Sequence, residues 1–210
     1  MNASVAAQPH DLLWGLPVSA LADDAPAWCV EVMGLGHPVV VRRALVDAGQ
    51  VAVGVRGHSR DQRYATVMAL ADIQRRVQPE QLVDASIQGA GDWPALRALR
   101  QIQPVMKGLG LPWGVVGSLG FELACGVPVL HQGSDLDLIL RTPQFFNRRE
   151  AAHLVGALEQ VDCRIDLQLQ TPLGAVALRE WAGTSRQVLL KAADGARLVR
   201  DPWHAHEPAA

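Results

Sequence analysis

The sequence predicts an α/β chain of the α+β kind, with a mixed β-sheet and flanking helices over residues 79–210 and a smaller β-rich domain over residues 1–78. Three observations carry this expectation. Short, turn-bounded apolar runs dominate up to about Val77, and strand-like and helix-like segments alternate beyond it. Two acidic strand-like segments, 135–140 and 163–170, are joined by a stretch of helix length. At 210 residues with 49% hydrophobic content, the chain can bury a substantial core in one large or two small domains.

In the first part, residues 27–32, 38–43 and 50–57 read as strands, the last one after the turn residues 47–49. A helix is expected over 62–76, where Ala65, Met68, Ala69, Asp72 and Ile73 mark the spacing. Pro79 and the segment as far as Pro94 lead into the second part. Residues 93–108 read as a helix that Pro104 should kink or shorten. The short apolar strand 113–116 ends at Gly117-Ser118, and 119–125 follows as a helix. A long helix is expected over 143–160, with Thr142 as N-cap and Pro143 in the first turn. Thr171-Pro172 should start a short helix running to Trp181. Residues 188–191 and 196–199 flank Asp194-Gly195 as a hairpin, because Asp-Gly favours a type I′ turn. No internal repeat is evident.

Composition excludes several classes of function. A net charge of -2 provides no basic field for nucleic acid, so only local patches can bind phosphates. Cys29, Cys125 and Cys163 are odd in number and widely spaced, which points to buried free thiols rather than a disulfide framework or a zinc site. The first ten residues lack a basic segment leading into an apolar one, and no window approaches the roughly 18 apolar residues of a membrane span. A cytoplasmic protein that engages neither membrane nor nucleic acid is expected.

The most informative residues are Gly117 and Ser118 together with the run Gly133-Ser134-Asp135-Leu136-Asp137-Leu138. Successive side chains of a strand point to opposite faces, so Asp135 and Asp137 project together while the leucines pack behind them. Asp166 lies in a second alternating segment and can present a third carboxylate on the same face. An Asp-x-Asp pair alone occurs often by chance in loops and surface strands. Here it accompanies a strand-to-helix turn whose backbone N–H groups can hold phosphate oxygens. Paired carboxylates bind a hard divalent cation, Mg²⁺ or alternatively Mn²⁺, whose remaining positions phosphate oxygens complete. Gly-Ser, then Asp-x-Asp, then a later Asp resembles the nucleotidyltransferase superfamily typified by DNA polymerase β.

A basic cluster permits two readings. Arg56, Arg60 and Arg63 share a glycine-containing connection between the predicted strand and helix, where guanidinium forks can clamp a substrate phosphate. Solvated loop arginines balanced by Asp61 are the alternative. Lys107, Arg141, Lys191 and Arg197 read as surface residues. The histidines lack metal-ligand spacing, although His131 stands directly before the acidic run. Trp113 and Trp181 either pack the core or stack on a base.

Pro9-His10-Asp11-Leu12-Leu13-Trp14, Pro38-Val39-Val40-Val41-Arg42-Arg43, Val53-Gly54-Val55-Arg56-Gly57 with Arg60, Gln62 and Arg63, then Gly117-Ser118 and Ser134-Asp135-Leu136-Asp137-Leu138, carry a closer likeness. Over essentially the whole chain, the sequence resembles the malonate decarboxylase holo-acyl-carrier-protein synthases, the phosphoribosyl-dephospho-CoA transferases of the MdcG family. The resemblance implies a nucleotidyltransferase-like sheet. It also implies transfer of the phosphoribosyl-dephospho-CoA group from 2′-(5″-triphosphoribosyl)-3′-dephospho-CoA to a serine of the apo acyl-carrier subunit of malonate decarboxylase, with release of pyrophosphate. Asp135 and Asp137 match the family's motif, whereas Asp166 rests on the wider superfamily pattern as ligand or base. Gly117, Ser118 and Ser134 are expected to hold the triphosphate, and the arginine cluster another phosphate. A citrate lyase carrier synthase, a modifier using a common nucleoside triphosphate, and a non-catalytic carrier- or nucleotide-binding module remain the alternatives.

Overall fold

The computed structural model describes residues 7–59, 61–85 and 92–204. The chain divides into two compact units, Met1–Gln78 and Pro79–Ala210.

The first unit is built on five strands, β1 (Leu12–Trp14), β2 (Val39–Val41), β3 (Gln50–Arg56), β4 (Arg63–Ala69) and β5 (Arg75–Val77). They form an antiparallel sheet in the order β4-β3-β2-β1-β5. Leu13, Val39, Val53 and Val55 bury their side chains against Cys29, Val32 and Met33 of α1 (Ala27–Gly34). Two sequence expectations fail here. The segment 27–32 is helical rather than extended, because Cys29, Val32 and Met33 recur at helical spacing and make the buried face. Gly36 then closes the helix at φ +72°, its N–H donating to Met33 O while that of His37 donates to Val32 O. Those are the paired bonds of a Schellman cap.

The helix expected over 62–76 is instead β4, a 3₁₀ turn at Leu70–Asp72 and β5. Tyr64, Thr66 and Met68 turn inward at a period of two, and β4 pairs with β3 at every position from Gln50↔Ala69 to Arg56↔Arg63. Long-range pairing of β-branched and aromatic residues outweighs the weaker helical spacing. Behind β1, the fully buried Asp11 accepts Gln8 N–H at 2.7 Å and pairs with Arg76 Nη2 at 2.7 Å, fastening β1 to β5.

His37, part-buried before β2, is held below its ordinary value of 6.5 by burial and, secondarily, by the charge of His58. A neutral folded imidazole contributes stability that is complete above pH 6.5 and is lost as pH falls through the lowered folded value. Urea midpoints should therefore decline between about pH 7 and pH 5, the range of histidine titration. His37→Gln should flatten that decline, and an unchanged slope in the variant would overturn the assignment.

The second unit holds β6 (Trp113–Val115), β7 (Leu136–Arg141), β8 (Ile165–Thr171), β9 (Gly174–Ala177), β10 (Val188–Ala192) and β11 (Gly195–Val199). Its helices are α2 (Pro94–Gly108), α3 (Gly117–Cys125), α4 (Arg148–Leu158) and α5 (Leu178–Ala182). The sheet runs β11-β10-β9-β8-β7-β6 and is mixed, since β7 and β8 are parallel and every other pair is antiparallel. A parallel pair needs a crossover, which α4 provides. Leu136, Leu138, Leu140, Ile165, Leu167 and Leu169 are buried on one face, each contributing about 1.5–3 kcal/mol. Asp137, Asp166, Gln168 and Gln170 alternate with them on the other.

Several boundaries move. α4 begins at Arg148 rather than at Pro143, and Asn147 rather than Thr142 caps it by accepting Arg149 N–H at 2.7 Å. Thr142 instead donates its hydroxyl to Gln170 O, and the intervening residues carry aromatics into the core: Trp181 Nε1 donates to Phe146 O and Trp203 Nε1 to Thr142 O. Residues 171–177 form the β8–β9 hairpin, with Thr171 paired to Gly174, and of the expected helix only α5, which contains Trp181, is helical. The 188–199 hairpin forms, but Ala192 pairs with Gly195, so Ala193 and Asp194 occupy the turn. α2 runs through Pro104 to Gly108. Trp113 and Trp181 are buried packing residues, which leaves neither ring available to stack on a base. All three cysteines are free, yet only Cys29 is fully buried. Arg141 is no surface residue, being 13% exposed and paired through Nε with Glu80 at 2.7 Å. Among the described residues, no helix is long and apolar enough to cross a membrane.

Candidate active site

The polar face of the second sheet is closed at one end and open at the other. At β6, Gly114 has no side chain, and a Cβ there would overlap Pro79 and Glu80 of the 3₁₀ turn Pro79–Leu82. Arg141 reaches the same turn through Glu80. Toward the start of β7 and β8 the carboxylates emerge: the Asp135 side chain is 31% exposed and that of Asp166 is 40% exposed.

Strand register brings the three acids together on this face. Asp137 pairs directly with Asp166 across the parallel ladder, a separation of about 4.8 Å between neighbouring strands. Asp135 stands two residues earlier, about 7 Å along the chain and on the same side. Among the described residues, no three His, Cys, Asp or Glu side chains gather tightly enough to enclose a metal ion by themselves. The hard carboxylate oxygens nevertheless suit a divalent cation that takes its other ligands from substrate and water.

Gly117 sits against Asp137. Val116 N–H donates to Asp137 O at 3.0 Å, and the chain then turns into α3 through Gly117 at φ +65°. A Cβ at Gly117 would overlap Asp137 Oδ2 and lie 2.7 Å from its Cγ, so both the conformation and the space require glycine. The first helical bond of α3 is Gly120 N–H to Val116 O, which leaves the N–H groups of the first turn outside the ladder, beside the carboxylates. Ser118 occupies the second position of the helix, and both it and Asp137 are engaged by neighbours. Ser134 shapes the approach to Asp135: its buried hydroxyl accepts His131 N–H at 3.1 Å, and its own N–H donates to His131 O. The His131 ring accepts Gly133 N–H at 3.1 Å, a structural use of that histidine.

Two residues here escaped the sequence reading. Arg164 spans the acids, with Nη2 3.2 Å from Asp166 Oδ2 and Nε 3.9 Å from Asp135 Oδ2. Its place two residues before Asp166, hence on the same face, was the available signal. Glu122 on α3 is buried and accepts the N–H groups of Val129 and Leu130 at 2.8 Å each, pinning the loop that delivers Asp135. No local pattern marks that role. Cys163 lies beside the same turn, and its thiol is pushed up chiefly by burial, with the charge of Asp135 adding to the effect.

The arginine cluster falls in the first unit, on a strand-to-strand connection instead of the expected helix start. Arg56 and Arg63 oppose each other across β3 and β4. Arg63 Nη1 also donates to Ser59 O and Gln62 O, so part of its guanidinium holds the loop. Arg60 lies outside the described residues.

Comparison with known proteins follows this division. Residues 8–79 match the phosphoribosyl-dephospho-CoA transferase MdcG N-terminal domain, and residues 69–202 match the MdcG C-terminal domain. The chain belongs to the MdcG family. A phosphoribosyl-dephospho-CoA transferase of Pseudomonas syringae pv. tomato is 62% identical over 199 residues, covering 95% of this chain and 94% of that protein. One from Pseudomonas putida is 56% identical over the full length of both chains. An MdcG relative of the same description from Azotobacter vinelandii is 55% identical over 200 residues, covering 93% and 94%. No solved structure matches the chain.

Proposed function

We propose that this protein is a metal-dependent transferase of the nucleotidyltransferase type that moves the phosphoribosyl-dephospho-CoA group from its triphosphate donor to a serine of the apo acyl-carrier subunit of malonate decarboxylase. The observation that carries the reading is the row Asp135, Asp137 and Asp166 against the Gly117 turn, in a chain whose family is named for transfer of this group. A carboxylate row beside the start of a helix suits a polyphosphate: the N–H groups of the first turn bind its oxygens and the acids bind its counter-cation.

In this reaction the carrier serine Oγ forms a bond to the donor's α-phosphorus, the bridging P–O bond to pyrophosphate breaks, and the serine proton passes to a base. Asp135 and Asp137 would hold Mg²⁺ or Mn²⁺, which when bound offsets charge on the phosphate oxygens. Asp166, paired with Asp137 in the ladder, would either complete that ligand set or accept the serine proton. Gly117, Ser118 and Ser134 border the triphosphate. Arg164, already spanning the acids and largely exposed, can turn to the departing pyrophosphate. In the first unit, Arg56 and Arg63, opposed across β3 and β4, carry guanidinium forks suited to another phosphate of the long donor, with Arg60 between them in the sequence.

Intact-mass analysis of apo-carrier incubated with the protein, Mg²⁺ and donor tests the reading. One phosphoribosyl-dephospho-CoA adduct on a serine, with pyrophosphate released and ATP unable to replace the donor, is expected. An AMP-sized adduct from ATP would make the protein a general nucleotidyltransferase. Absence of any adduct despite carrier binding would make it a binding module.

A further inference from the structure

Beside the start of β10 and the end of β11, the second unit carries a basic pocket that the transfer chemistry does not use. Arg148, Arg186 and Arg200 line it together with Gly183, Thr184 and Ser185, around a volume of about 450 Å³. No acidic residue contributes to its wall. Arg148 is anchored, its guanidinium stacked 4.1 Å from the Trp181 ring centroid and its Nη1 donating to Gly183 O at 2.8 Å. Arg186 and Arg200 are exposed, and among the described residues neither has an ion-pair or hydrogen-bond partner. In a chain of net charge -2, three arginines converging without a counter-charge form a local field for an anionic partner.

The setting favours a protein over a free phosphate. Phe145 stands 54% exposed with its ring edge-on to Trp181, the ring on which Arg148 stacks. An exposed aromatic beside convergent arginines is the composition of an interface anchor. Strand register sets the start of β10 and the end of β11, which carry Arg186 and Arg200, level with the start of β8, two and three strands from Asp166, or about 10–15 Å at about 4.8 Å per strand. A domain of about 100 residues has a radius of gyration of about 13 Å, so such a protein can rest on the pocket while its modified serine reaches the acids.

We propose that the Arg148–Arg186–Arg200 pocket and Phe145 dock an acidic surface of the acceptor protein; this rests on the carrier-transfer reading above. Charge at the pocket governs how tightly the carrier binds, and the acids govern turnover once it is bound.

The test uses the full-length protein, apo-carrier and donor, with carrier and donor titrated separately. Arg186→Glu/Arg200→Glu should raise the carrier KM at least tenfold, leave the donor KM and the kcat at saturating carrier unchanged, and flatten the salt dependence of carrier binding. Arg186→Gln/Arg200→Gln should give a smaller shift of the same kind, with circular dichroism matching wild type. An unchanged carrier KM in active variants overturns the docking site while leaving the transfer reading intact. A raised donor KM with constant carrier KM overturns it in favour of a donor-phosphate site. Failure of the wild-type protein to bind or modify the carrier removes both readings.

Discussion

Asp137→Asn is expected to lower transfer by about 10³-fold, equivalent to about 4 kcal/mol of transition-state stabilisation at about 1.4 kcal/mol per tenfold. Asp137 is central to the acid row, paired with Asp166 across the ladder and resting on the Gly117 turn. Asparagine preserves shape and removes only the charge, so the leucines behind β7 should keep the fold. Pyrophosphate release and Mn²⁺ affinity, measured together, are the readouts, and both should fall. A folded variant with near-wild-type turnover would sink the site. Asp135 is more exposed and lies ahead of the strand, so Asp135→Asn should be severe through the same loss of charge.

Gly117→Ala should be nearly as damaging for a different reason. Its φ of +65° imposes about 1–2 kcal/mol on any residue with a Cβ, and the new methyl group would also strike the Asp137 carboxylate. A displacement of about 1 Å at a reacting centre costs about 10²-fold, and that is the expected loss of turnover. Gly126→Ala is the matched control: Gly126 ends α3 at φ +73° with nothing within 4 Å of its would-be Cβ. It should lose similar thermal stability and keep its turnover. Equal activity loss in both variants would trace the effect to backbone strain in α3, not to contact with Asp137.

The parts of the second unit that were legible in the sequence are those governed by short-range periodicity. Alternation of Leu with Asp and Gln specified both the strands and the shared face of Asp135, Asp137 and Asp166, because side-chain direction in a strand has a period of two whatever lies beyond it. The turn at Gly117-Ser118 was legible because it ends a short apolar strand and opens a helix-length segment. Spacing misled where it was weak: α1 was read as a strand and β4 as a helix, since short apolar runs satisfy both patterns until a partner chooses one.

What the sequence by itself determined is therefore the alternating core of β7 and β8, the orientation of their acids and the strand-to-helix turn at Gly117-Ser118. Only the tertiary structure decided that Asp137 stands beside Asp166, that Glu122 pins the loop before Asp135, that Arg56 faces Arg63, and that Arg148, Arg186 and Arg200 converge. The physical reason is range. A side chain's face follows from its own backbone, whereas its neighbours depend on strand register and on hydrogen bonds between residues far apart in the chain, which no local pattern encodes.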